Sequence, residues 1–241
     1  MKTLAVIQHT SAEYLGLIED HLEGRRIRFR YYRPFTAGGR LPTLQQCVDG
    51  LILLGGGPWG AVPGARQLPR FEEEVALAQQ ALAADHPVIG IGLGALILCR
   101  AAGGNVAPAP LTFEALEARR ISDDALAGFL PERYPIVRYG CDEAVLPEQA
   151  RVLARDTHDA AALFQLGERG FGFSAHPGIK SAMIEDLIME FSEAPTDPQP
   201  GLVLLRSQQA ALEEALKSIM TGLVRCTDLM GPDAGESSAV R

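Results

Sequence analysis

PVIGIGLGALILCRAAGGNV, residues 87 to 106, decides the fold. Pro87-Val88-Ile89-Gly90-Ile91 reads as a buried strand, and Ala95 to Ala102 as the helix that follows it. Between them lies Gly90-Ile91-Gly92-Leu93-Gly94, with glycines flanking a central residue at the spacing of a tight strand-to-helix turn. Such a turn lifts the central residue to the sheet's edge, at the positive end of the next helix. Hydrolases place serine or cysteine there. This chain places Gly92, which offers no nucleophile.

Working outward, the first hundred residues alternate strand and helix patterns. Leu4 to Ile7 is a short apolar run, followed by a polar-capped helical stretch expected from about Ser11 to His21. Arg26 to Tyr32 alternates charged and apolar residues, as a strand with one solvated face does. Leu51 to Leu54 is wholly apolar and runs into Gly55-Gly56-Gly57-Pro58, the pattern of a central parallel strand ending in a glycine loop. Phe71, Val75, Ala78 and Leu82 mark one face of a helix. This order predicts an α/β fold, a doubly wound, mostly parallel sheet flanked by helices, with ligands at the carboxyl ends of its strands.

Residues 105 to 170 are richer in turn signals and short strands. Residues 152–154, 161–164 and 171–173 read as an antiparallel extension. Helix returns from Lys180 to Phe191. The expected organisation is one domain over 1–193, a proline-rich connector at 194–201, an amphipathic helix at 202–230 packing on that domain or on a partner, and a flexible tail at 231–241.

Composition narrows the function. The 241 residues suffice for a full core, and a formal charge of -8 argues against general affinity for nucleic acid or anionic membrane. Four scattered cysteines form no CxxC pair, so neither a metal site nor a disulfide framework is expected, and a reducing cytoplasm is the simplest compartment. The opening MKTLAVIQHT reads as a strand and not as a signal peptide, and there is no apolar run of transmembrane length.

The segment 87–106 resembles the nucleophile-elbow stretch of class I glutamine amidotransferases, including the helix and the Gly103-Gly104 pair after it. FGFSAHPGIKSAMIEDLI, residues 171 to 188, is similar to that family's GVQFHPE segment. VIQHTSAEYLGLIEDHL and LILLGGG are similar to the first strand-helix and oxyanion loop of the GMP-synthetase-like branch. The resemblance runs in order from residue 1 to about 192. It implies that the nucleophilic cysteine falls on Gly92, the general-base histidine on His176, and the glutamate orienting that histidine on Gly178. The family's GHQ after the elbow is Gly94-Ala95-Leu96 here, and the glutamine before the histidine is Ser174, so two glutamine-holding side chains are also missing.

Glutamine hydrolysis by this route requires a thiolate to form a thioester while an imidazole relays protons. The expectation is therefore an amidotransferase-like protein without glutaminase activity that binds a synthetase or other protein partner, or a small anionic ligand. A homodimer is left open and no cofactor is implied. The amide N–H groups of Gly56 or Gly57 and of Leu93 are expected at the oxyanion position, with Trp59 walling the cleft or simply packing. His176 is either a relic or an anion-binding group beside the elbow. If degeneration is the whole story, Gly92→Cys with Gly178→Glu should restore turnover. The rival is other hydrolase or transferase chemistry through His176 and Cys141, the latter lying in Arg138-Tyr139-Gly140-Cys141-Asp142, a stretch that resembles the family's H-G-D segment. A buried, idle thiol is the plainer reading of Cys141.

Overall fold

A computed structural model describes residues 1–230; the tail expected at 231–241 lies outside the described residues. The amino-terminal half builds β1 (Thr3–Ile7), α1 (Ile18–Gly24), β2 (Arg28–Tyr32), β3 (Leu51–Leu53), α2 (Phe71–Ala83), β4 (Val88–Ile91) and α3 (Leu93–Ala101). Next come β5 (Asn105–Ala107), β6 (Thr112–Arg120), β7 (Arg133–Gly140), β8 (Glu143–Val145), β9 (Arg151–Asp156), β10 (Ala161–Leu166) and β11 (Gly170–Phe173). Helices α4 (Ser181–Glu190) and α5 (Gln199–Cys226) close the described chain.

Nine strands form one sheet in the order β2-β1-β3-β4-β11-β10-β9-β6-β7. The first five are parallel, and from β11 onward each neighbour is antiparallel, so the antiparallel extension continues the main sheet. A separate two-stranded ribbon pairs β5 with β8. Helices α2 and α3 contribute to one apolar layer with Leu51, Leu53 and Phe164, while α1 and α5 contribute to another with Leu4, Val6 and Ile89. That is the α/β arrangement read from the sequence.

Three local expectations are corrected. The helix expected from Ser11 begins only at Ile18, because Gly16 adopts φ +61 and packs against the Gly178 carbonyl, to which Leu17 N–H donates at 2.9 Å. The middle of the chain is not made of short strands alone: β6 has nine residues and β7 eight, paired along their lengths. Helix α5 starts at Gln199, inside the stretch read as a connector, and buries Leu216, Ile219 and Leu223 in the cluster that holds Leu4 and Val6, and Leu212 in a second cluster with Val137 and Tyr139 of β7. Among the described residues no helix is long and apolar enough to cross a membrane.

Candidate functional site

The carboxyl ends of β3, β4 and β11 meet at the elbow. Gly92 has φ +55 and ψ -116, a conformation that side-chain-bearing residues adopt only under strain, and its N–H donates to Phe173 O at 2.8 Å. A Cβ on Gly92 would meet only Gly55 Cα, at 3.5 Å. The turn thus keeps both its backbone and the room for a side chain. Gly90 and Gly94 are required by close approach, since a Cβ on Gly94 would overlap the backbone of Leu53.

Gly92 opens onto a cleft of about 390 Å³. Gly56, Gly57, Leu93, Trp59 and Cys141 all line it, so the structure brings together six of the positions read from the sequence. The amides of Gly56 and Leu93 have no hydrogen-bond partner among the described residues. The Gly57 amide differs: it donates to Glu13 Oε2 at 2.9 Å. Trp59 forms part of the cleft wall.

His176 is not among the cleft's lining residues. The imidazole is buried, with Nε2 2.7 Å from Tyr14 O and Nδ1 3.1 Å from the Gly178 amide. A carbonyl can only accept and an amide can only donate, so the ring is the neutral tautomer protonated on Nε2. Burial lowers its pKa to about 4 despite the Tyr14 hydrogen bond. Gly178 leaves no space for a longer residue: a Cβ there would lie 2.8 Å from Ile18 Cγ1 and 2.9 Å from Ile18 N. The loop before α1 occupies the region a side chain at 178 would need.

Cys141 shares the cleft but not a base. Its thiol donates to Pro58 O at 3.6 Å, and burial pushes it up to about 11. No hydrogen bond joins Cys141 to His176.

Sequence reasoning missed what surrounds the glycine loop. Glu13 is buried against Gly55, where any Cβ would overlap its carboxylate. Burial raises Glu13 to about 7, opposed by the Gly57 amide and by His9. His9 spans from Gly55 O (3.1 Å) to Glu74 Oε2 (2.8 Å). Burial alone would lower the imidazole, but Glu74, the Gly55 carbonyl and Glu13 together hold its pKa above the ordinary value. Three residues that line the cleft also carry a buried polar atom without a partner among the described residues, Ser174 Oγ, Tyr139 Oη and Arg138 Nε, the last on a guanidinium whose Nη2 donates to Glu114 Oε2 at 2.9 Å. The signal was the triple glycine itself, since a loop without side chains invites close approach by something else.

The family model described as glutamine amidotransferase class-I matches residues 26–189. GMP synthase [glutamine-hydrolyzing] of Aeropyrum pernix is 30% identical over 190 residues, which cover 75% of this chain and 36% of that protein. The chain therefore spans about a third of the length of that relative. Among solved structures, a glutamine amidotransferase from Methylobacillus flagellatus superposes with a TM-score of 0.79 at 23% identity, covering 94% of this chain and 95% of the other. A glutamine amidotransferase from Thermotoga maritima gives 0.76 at 22% identity, covering 94% and 98%. At those identities the structural likeness speaks to fold.

Proposed function

Since this chain belongs to the class I glutamine amidotransferase family, we propose that it is a member that binds at the family's cleft without hydrolysing glutamine. The observation that carries this reading is the elbow itself, whose turn is formed while its central residue is Gly92. A covalent route needs a nucleophile there, and the nearest thiol lining the cleft, Cys141, is protonated at neutral pH and donates to a carbonyl. His176 supports the same conclusion, because both ring nitrogens are engaged by backbone outside the cleft. Amide donors alone leave about 10³ to 10⁴-fold acceleration over water, far short of a working glutaminase.

The role left to such a protein is binding, of a small anionic ligand in the cleft or of a partner protein. The likeness to part of a GMP synthase supports a synthetase-like partner. The test is ammonia release from L-glutamine by the purified protein, with Cys141→Ser alongside. No release above background is expected from either. Turnover by the wild type that Cys141→Ser abolishes would refute the reading.

A further inference from the structure

We propose that the edge strand β2 docks an extended segment of a partner protein, one that carries acidic residues at alternate positions and apolar residues between them. This rests on the reading of the chain as a binding member of its family, and adds where a partner sits and what chemistry it presents.

The charge of the chain is segregated. Residues 24–48 contain Arg25, Arg26, Arg28, Arg30, Arg33 and Arg40 and no aspartate or glutamate, in a chain of formal charge -8. None of the six holds an ion pair with a carboxylate among the described residues. The opposite edge of the same sheet is built differently: on β7, Arg133 and Arg138 pair with Glu117 and Glu114 of β6. Arg25 donates to Thr221 and Arg33 to Gln8, whereas Arg26, Arg28, Arg30 and Arg40 are exposed. Phe35, in the same stretch, is 44% exposed. Arginine and aromatic side chains are the types enriched where proteins meet.

The backbone is unpartnered as well. Strand β2 ends the sheet and pairs only with β1 among the described residues. Arg28 N–H donates to Lys2 O and Gln8 N–H donates to Tyr32 O, both at 2.9 Å. In a parallel ladder that register turns the N–H and C=O of Arg28, Arg30 and Tyr32 toward β1, and those of Phe29 and Tyr31 outward. Side chains alternate between faces. Arg28 and Arg30 stand on one face, while Phe29 and Tyr31 stand on the other, edge to face and partly buried against the layer that α1 and α5 share. A strand added at this edge meets arginines on one face and an aromatic pair on the other, and is matched by acids and apolar residues in alternation. A second copy of the chain does not fit, because two β2 strands side by side would set their arginines against one another. The charge that guards the edge against self-pairing is the same charge that selects an acidic strand.

The probe is a capped synthetic peptide alternating glutamate with valine over about eight residues, an ordinary strand length. Binding is followed by NMR, with amide exchange as a second readout. The wild type should bind this peptide with shifts at the β2 amides, and exchange at Phe29 and Tyr31 should slow by about tenfold or more at saturation as their N–H groups become paired. Arg28→Glu with Arg30→Glu should bind it about tenfold more weakly, two attractions having become two repulsions. That variant should instead take the same peptide with lysine for glutamate, which the wild type should not, and this reversal also shows the variant to be folded. No binding of the glutamate peptide by the wild type, or undiminished binding by the variant, would overturn the proposal. So would shifts confined to residues outside β2, equal binding of a peptide of the same composition with its glutamates in one block, or tighter binding of a single-stranded DNA oligonucleotide. None of these measurements involves glutamine, so failure of this inference is distinguishable from failure of the broader reading.

Discussion

Adding a side chain at Gly178 tests whether the site has room for the residue the family carries there. In Gly178→Ala the new Cβ sits 2.8 Å from Ile18 Cγ1, 2.9 Å from Ile18 N and 3.1 Å from Leu15 O. Two of those three atoms are backbone, held by Ile18 N–H to Leu15 O (3.1 Å) and by Leu17 N–H to Gly178 O (2.9 Å). A flexible side chain cannot simply swing aside, so the loop must move. Overpacking of this kind costs about 1 to 3 kcal/mol. For a chain of this size that lowers Tm by roughly 2 to 4 °C per kcal/mol. Gly178→Glu adds a carboxylate to the same filled volume and should sit at or beyond the upper end. Gly92 differs in kind: with nothing nearer than 3.5 Å, Gly92→Cys adds no overlap and costs only the strain of φ +55 with ψ -116, about 1 to 3 kcal/mol. Differential scanning calorimetry of the single variants measures both quantities. The double variant Gly92→Cys/Gly178→Glu should release no ammonia from glutamine, because His176 is still bound to Tyr14 and Gly178. A Gly178→Glu variant that melts with the wild type, or a double variant that hydrolyses glutamine, would refute the argument.

Two further predictions concern ionisation. His176 falls from 6.5 to about 4 on folding, so the unfolded state binds more protons across that window and stability drops as pH falls through it, by up to about 3 kcal/mol. Glu13 rises from 4.5 to about 7, so the folded state binds more protons there and stability drops as pH rises. The two slopes oppose one another between about pH 4.5 and 6.5. Glu13→Gln should therefore lose stability more steeply than the wild type on acidification through this range; parallel urea-derived profiles for the two proteins would contradict the assignment. The cysteines give a chemical check. Burial pushes Cys47, Cys99 and Cys141 up to about 11, leaving roughly one thiolate in a thousand at pH 8, whereas Cys226 is partly exposed. A disulfide reagent should label at most one thiol quickly in the folded protein and all four in denaturant, and rapid labelling of Cys141 would count against it.

How much of this was legible in the sequence depends on the range of the interaction that decides each feature. The elbow was legible because strand, glycines and helix lie within twenty residues, and its geometry is set locally by Gly90, Gly92 and Gly94. Strand β6 was not, because TFEALEARR is rich in helix formers and becomes a strand only through pairing with β7 and β9. The orientation of His176 was beyond reach for a similar reason, since its partner Tyr14 lies 162 positions away. Motif alignment identified the residue but said nothing of where its nitrogens point.

Glu13 is the most instructive case, because the error over the first helix concealed it. Read as part of a helix from Ser11, it would be one more acidic residue on a solvated face. With helix starting only at Ile18, the stretch before it is free to fold inward, Glu13 N–H donates to Thr10 Oγ1 at 3.1 Å, and the carboxylate turns under the glycine loop. Gly55 and Glu13 then imply each other: the glycine has no side chain because the acid occupies that space, and the acid tolerates burial because Gly57 donates to it and His9 lies beside it. A buried carboxylate with so little compensation stays close to its protonated form. The same contact that shapes the loop, the Glu13 carboxylate buried under Gly55 and Gly57, is therefore the one that holds the acid's pKa up toward neutrality.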